Sequence, residues 1–481
     1  MIRTDVVVCG GGTAGAVVAA ELVAAGHRVV VLEAGPDYGA FDSGRWPEEL
    51  VSSATIPETH DWGYKAGADL PGRDLPYERA RVIGGCSAHN GCTVCWGHRA
   101  DYDGWGLAGW SADELLPLFE RTSAQMRVRR FADADLTPLH RGFIDAGLAL
   151  GLPRVDDLDT LDGVPGIGAE PSNSPDGIRW NTAFAFLDPV RGRPELEVRD
   201  RALVDRVVVE GGRAIGVRAI VDGQPLEVRA DTVVLAGGAY GTPAVLLRSG
   251  IGPAEHLREV GIDVVADNPG VGANLHDHPT SRIRLRAAGE LVARTETFAA
   301  TGRPVPDEQS LAKIASSFSE DGTFDLHLIP APEEDGCVEV LIANVDPRSR
   351  GTVRLASADP DAAPLLDHGF VTDPDGRDLA VLAEGVELAY EMVARPELAG
   401  LLGDEVGAPV RDAAAIRREI IHYWHPVGSC ALGIACDERA RVDGVDGLFV
   451  ADGSLFPQTP RATTNIPIVV AALRVAGWLA G

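Results

Sequence analysis

Lysine is almost missing from this chain. Of 43 basic residues only Lys65 and Lys313 are lysines, and they face 71 acidic residues, for a formal net charge of −28. Such a surface repels phosphate backbones and anionic membranes, which argues against nucleic acid as a partner and favours a neutral or cationic small substrate. The arginine bias also fits an acidic proteome from a GC-rich genome, in which case the charge says little about the substrate. Long apolar runs are absent too: no window reaches the roughly 18 apolar residues of a membrane span. The opening MIRTDVVVCGGG has neither the apolar segment nor the small-residue cleavage site of a secretory signal. Seven cysteines is an odd number at no spacing known for secreted scaffolds, and Cys9 lies within an apolar strand pattern, so a reduced, cytoplasmic protein is expected. Cys92 and Cys95 form a CxxC with no second pair, which reads as two buried thiols, and no metal site is expected. There is no internal repeat, low-complexity tract or long linker.

What the chain does have is bulk. With 481 residues and 45% apolar content it exceeds what one compact core usually carries, and two domains are expected. The stretch DVVVCGGGTAGAVVAAELVAAGHRVVVLEAG reads as a buried strand (6–9), a glycine turn, a helix (14–25) and a second buried strand (29–33). Gly10, Gly12 and Gly15 form a GxGxxG within this βαβ unit, and Glu33 closes the second strand. The first glycine makes the turn, the second admits a pyrophosphate, and the third lets helix pack on strand. The carboxylate is placed for ribose hydroxyls. In that context the motif indicates dinucleotide binding rather than a bare turn.

From Leu196 the pattern is a β-meander that ends in an apolar strand at 233–236 and returns to the nucleotide sheet. Residues 281–421 change character, with short strands in FDLHLIP and VEVLIANV and a helix over 378–392, as expected of a second domain inserted into the first. The tail supplies one more buried strand, a turn-rich loop and a closing helix.

Five separated stretches carry a family resemblance. The N-terminal βαβ unit with VVVLEAG, the loop RVIGGCSAHN, the segment GAYGTPAVLLRSGIGP, then VGANLHDHP and HPVGSCALG together resemble the glucose-methanol-choline flavin oxidoreductases over essentially the whole chain. The resemblance implies an α/β fold: a Rossmann-like FAD-binding domain with an inserted α+β substrate domain built on an antiparallel sheet. We assign residues 1–155, 196–280 and 425–481 to the first domain, and 156–195 and 281–424 to the second. FAD is implied as cofactor, held by Gly10, Gly12, Gly15 and Glu33, by Gly84, Gly85, His89 and Asn90 of the flavin loop, by Val204 near the adenine, and by Asp452 and Asn465. The partners implied are an alcohol substrate and oxygen or another electron acceptor, with self-association left open.

The family oxidises an alcohol by moving a hydride to the flavin while a base takes the hydroxyl proton. The resemblance assigns the base to His425, and imidazole is the side chain whose ordinary pKa lies nearest neutrality. His422 reads as structural. At the second catalytic position the sequence departs from the family pattern. Either Thr463 replaces an amide with a hydroxyl, or a shifted loop gives the role to Asn465.

His89 stands where most of the family has a small or apolar residue, and resembles the choline-oxidising branch, in which a histidine is bonded to the flavin. It is a candidate for an 8α-N-histidyl linkage, with a hydrogen bond to the ring or phosphate as the alternative. Gly91 departs from that branch, which has a serine there, and this argues against choline itself as the substrate. The expected function is oxidation of a small polar alcohol, with a cationic amino alcohol or amino sugar favoured and glutamates such as Glu296 or Glu333 as candidate ammonium ligands. A neutral primary alcohol or sugar, or a non-redox flavin-binding lyase, is the alternative.

Overall fold

The computed structural model describes every residue except Ala68, Asp69, Pro71, Gly72, Asp74, Asp321 and Glu334. The β-branched run Val6–Val8 lies fully inside strand Ile2–Cys9, as a parallel strand covered on both faces requires. Strands Val29–Leu32 and Leu196–Arg199 extend the parallel sheet on one side. On the other side lies the long strand Gln224–Leu235, whose two halves do different work. Its C-terminal half pairs parallel with Ile2–Cys9 and with Leu448–Val450. Its N-terminal half is the last arm of the antiparallel meander formed with Arg213–Val221 and Ala202–Glu210. Helices Thr13–Ala24 and Asn465–Leu479 pack on each other beside this sheet, and their alanine-rich faces allow the close approach.

The second body is a six-stranded antiparallel sheet. Its order is Leu402–Glu405, Thr280–Ala287, Cys337–Asn344, Leu326–Pro332, Ser310–Ile314 and Gly166–Ala169. The period-2 alternation of strands assigns its faces. Val338, Val340 and Ile342, with Leu326 and Leu328, join helix Arg377–Val393 in one core cluster. Ile329 and Leu341, with Glu339, point the other way and line the large cavity described below. The α/β class and the inserted antiparallel sheet thus match the expectation.

Two segments sit elsewhere than the assigned boundaries place them. Helix Pro138–Ala149, assigned to the nucleotide-binding part, buries Leu139, Phe143, Ile144 and Ala146 in the core of the antiparallel sheet. Residues 183–190, assigned to the substrate part, put Phe184, Phe186 and Leu187 into the nucleotide-domain core against helix Thr13–Ala24. Apolar spacing marks a buried face; it does not say which sheet covers it.

Candidate active site

A cavity of about 1140 Å³ runs between the two sheets, from Glu33 and Val204 at one end to His425, Thr463 and Asn465 at the other. Gly10, Gly12, Gly85, His89, Asn90 and Asp452 also line it. Gly15 and Gly84 do not, and they serve the packing behind it. A Cβ on Gly15 would lie 1.8 Å from the Gly10 carbonyl oxygen, so only glycine lets the helix seat on the turn. The Gly84 amide donates to the Gly11 carbonyl at 2.8 Å, which docks the flavin loop onto the glycine turn. Gly85, at φ +54°, brings its backbone against Gly12.

These residues fit FAD on three structural counts. Helix Thr13–Ala24 begins at Gly12 with no capping side chain and no acidic residue in its first turn, so its N-terminal amides are left for an anion. Glu33 accepts from the amides of Gly11 (2.8 Å) and Gly35 (2.7 Å), and each oxygen keeps a second acceptor site for a ribose hydroxyl. Burial pushes this carboxyl upward in pKa. At the far end, both side-chain polar atoms of Asn465 are buried without a hydrogen-bond partner, which a ligand would supply.

Other expected residues have their side chains committed. Asp452 accepts from Ser454 N and Oγ, Gly238 N and Thr242 Oγ1, at 2.6 to 2.9 Å, and so ties two turns together at the cavity wall. The Val204 carbonyl accepts from Arg248. Asn90 Oδ1 accepts from the Cys92 amide, and its carbonyl accepts from Arg179, a fully buried cation that also holds Ser52 and Thr55. His89 Nε2 donates to the Thr59 carbonyl at 2.7 Å, which leaves Nδ1 unprotonated, and burial lowers the pKa of the ring. The CxxC thiols are buried and raised to about 11 by that burial, unreactive at neutral pH.

His425 faces the cavity at the end of a loop held by one carboxylate. Asp277 accepts from the amides of His278 (2.7 Å), Tyr423 (3.4 Å) and His425 (3.0 and 3.1 Å). His425 Nδ1 meets His278 Nδ1 at 3.2 Å, and His278 Nε2 meets Thr459 Oγ1 at 3.1 Å. Burial, then the neighbouring His278, holds the His425 imidazole well below its ordinary pKa, and burial lowers His278 to about 4. Ligand atoms of Asp277, His278 and His425 all lie within 4.8 Å of one another. With the Asp277 oxygens already accepting amides and the two imidazoles paired, the arrangement reads as a hydrogen-bonded chain. His422 is turned away, onto the Pro76 carbonyl and Glu78.

Thr463 and Asn465 both line the cavity, but they differ in what they can offer. Thr463 Oγ1 donates to the Thr93 carbonyl at 2.9 Å, whereas the Asn465 amide is uncommitted. Of the suggested ammonium ligands, Glu296 is exposed on helix Gly289–Ala299, and Glu333 lies at the cavity wall. Sequence reasoning missed Asp277, His278, Tyr423 and Glu308. The VGANLHDHP segment was a signal for the first two, since it places two histidines and a carboxylate within three residues.

Fold and site together define a flavin-binding oxidoreductase. The chain belongs to the GMC oxidoreductase family, which residues 4–280 match in its N-terminal part and residues 347–472 in its C-terminal part. It is 32% identical over 517 residues to choline oxidase from Arthrobacter globiformis, covering 98% of this chain and 93% of that one. An oxygen-dependent choline dehydrogenase from Brucella melitensis is 30% identical over 539 residues, covering 100% and 96%. Among solved structures the chain resembles pyridoxine 4-oxidase from Mesorbium loti, at a TM-score of 0.86 and 28% identity with 99% of each chain covered. FAD is the cofactor, and the protein is an oxidoreductase acting on CH–OH donors. Among the described residues no helix is long and apolar enough to cross a membrane.

Proposed function

We propose that the protein oxidises a small polar alcohol to its carbonyl with His425 as the base. The observation that carries this reading is the His425 imidazole at the cavity wall with its Nδ1 3.2 Å from His278 Nδ1; burial, then His278, holds its pKa well below the ordinary value. When the Thr459 hydroxyl donates to the Pro460 carbonyl (3.4 Å), it accepts from His278 Nε2–H. The His278 Nδ1 lone pair then accepts from His425 Nδ1–H, which leaves His425 Nε2 as an acceptor. The substrate hydroxyl donates to that atom and loses its proton there, while the carbinol carbon loses a hydride and the C=O bond forms. FAD, when bound, supplies the two-electron acceptor for that hydride. The Asn465 amide is the uncommitted donor for the developing alkoxide, and the first turn of helix Asn465–Leu479 adds positive potential there. His89 lines the cavity, its Nε2 is spent on the Thr59 carbonyl, and it is the candidate residue for covalent attachment of the flavin.

The test is anaerobic titration of the yellow holoenzyme with a panel of alcohols, followed by admission of air. Bleaching by an alcohol supports oxidation, and rapid recolouring in air marks an oxidase. A flavin that no alcohol bleaches, in a protein that cleaves hydroxynitriles, would instead make it a lyase.

A further inference from the structure

Glu308 at the cavity wall and Glu170 buried behind it form a pair of carboxylates that the reaction above does not use. Glu170 is fully buried, and Glu308 reaches the cavity wall from the segment before strand Ser310–Ile314. The Thr93 hydroxyl lies against both, at 2.9 Å from Glu170 Oε1 and closer still to Glu308 Oε2. It has one proton and cannot satisfy two carboxylates. Glu170 Oε2 has no hydrogen-bond partner, and among the described residues neither glutamate has an ion-pair partner. Burial pushes both carboxyls up in pKa, and the neighbouring Glu308 adds to the rise at Glu170. Two acids buried without a cation are costly unless something else compensates them.

A second unpartnered polar group belongs to a residue of the same cavity wall. The Tyr423 hydroxyl is buried, with the residue 4% exposed, and has no hydrogen-bond partner, although Tyr423 lines the cavity. Burial, and then the nearby Glu308, pushes this phenol well above its ordinary pKa. The subsite is coupled to the reacting end of the cavity by position. Thr463 donates to the carbonyl of Thr93, the residue whose hydroxyl bridges the two acids, and Tyr423 is two residues from His425. Gly91 completes the arrangement. A Cβ at this position would lie 2.9 Å from Glu308 Oε2, so the serine of the choline-oxidising branch would compete with Glu308 for one space.

We propose that Glu308, backed by Glu170 and joined by the Tyr423 hydroxyl, is the subsite for an N–H-bearing cationic nitrogen of the alcohol substrate: a protonated amine or protonated ring nitrogen, in preference to a quaternary ammonium. The proposal rests on the alcohol-oxidation reading and narrows its substrate class. The chemistry follows from what the site lacks. Ionised Glu308 offers only acceptor oxygens at the cavity wall, so it favours a partner that brings donors as well as a charge. A trimethylated nitrogen carries the charge and no donor. The absence of a side chain at Gly91 leaves room for Glu308, a charged acceptor suited to N–H recognition.

The experiment uses the oxidised holoenzyme under nitrogen and two cations that have no hydroxyl to oxidise, propylammonium and trimethylpropylammonium. Calorimetry should show propylammonium binding roughly tenfold or more tightly than its trimethyl analogue. In Glu308→Gln its binding should weaken by roughly 30-fold or more, the scale of a lost buried charge partner, while exposed Glu296→Gln binds as the parent does. Equal affinity for the two cations, or parent-like binding by Glu308→Gln, would overturn the proposal. If Glu308→Gln does not retain flavin, the two-cation comparison on the parent decides alone. The two readings separate as follows. Flavin bleached equally well by 3-aminopropan-1-ol and butan-1-ol sinks the subsite and leaves alcohol oxidation standing. Glu308-dependent amine binding in a protein that no alcohol reduces does the reverse.

Discussion

His425 and His278 face each other Nδ1 to Nδ1 at 3.2 Å, so one proton between them decides which nitrogen of His425 is free to accept from a substrate. In the proposed mechanism His278 is a positioning residue. His278→Ala should retain flavin and slow anaerobic flavin reduction by roughly tenfold or more, since a base held in the wrong tautomer loses much of its effect. His278→Asn, which offers an acceptor to His425 Nδ1–H, should recover part of the loss. A structural role alone would move thermal stability and leave the pH profile of reduction where it was.

The pH dependence has a definite sign. His425 is held well below the ordinary histidine value by burial first and by His278 next, so it is neutral at pH 7. Reduction should be flat from neutrality upward and fall as pH drops through a pKa below 6.5, the value of unperturbed histidine. Stopped-flow reduction at graded pH checks this. A rate that rises only above neutrality would mean the base has a raised pKa, against the burial described here.

Thr463 and Asn465 should separate cleanly. Thr463 spends its hydroxyl on the Thr93 carbonyl, and the amide of Asn465 has no partner. Asn465→Ala should slow reduction by roughly 10²-fold, the scale of a lost oxyanion donor, and Thr463→Ala by much less. The reverse order would return the role to the threonine hydroxyl.

Covalent flavin is tested by acid precipitation. The Thr59 carbonyl fixes His89 with a bare Nδ1, so the yellow colour should stay in the pellet and a His89 peptide should carry the flavin mass. His89→Ala should release FAD to the supernatant. Complete release from the unaltered protein would reduce His89 to a hydrogen-bonding neighbour.

Gly15→Ala should fail for backbone reasons. The added carbon would meet the Gly10 carbonyl at 1.8 Å, so the helix must shift off the turn that cradles the cofactor. A stability loss of about 1–3 kcal/mol or more is expected, with loss of flavin, read by thermal melting and by the flavin spectrum. Unchanged melting and full flavin content would contradict the packing described here.

The glycine turn, its two strands and Glu33 could be read from sequence because their signal is local, carried by period and by glycines within some 30 residues. The placement of helix Pro138–Ala149 could not, because its apolar face is equally suited to either sheet and the choice is made by chain segments far away. His278 and His425 are 147 residues apart, and Glu308 reaches Thr93 across 215. Such meetings exist only after the sheets close on each other. The Thr463 and Asn465 alternatives have the same origin: residue type allows both, and what distinguishes them is a contact of Thr463 with the Thr93 carbonyl, 370 residues away.

The most direct test of the account is anaerobic flavin reduction by one alcohol, measured in the parent and in His425→Ala, with the substrate also deuterated at the carbinol carbon. The account predicts that the variant keeps its flavin and is reduced roughly 10²-fold or more slowly, and that deuteration slows reduction in the parent. Reduction of His425→Ala at the parent rate, or a parent rate that ignores deuteration, would contradict it.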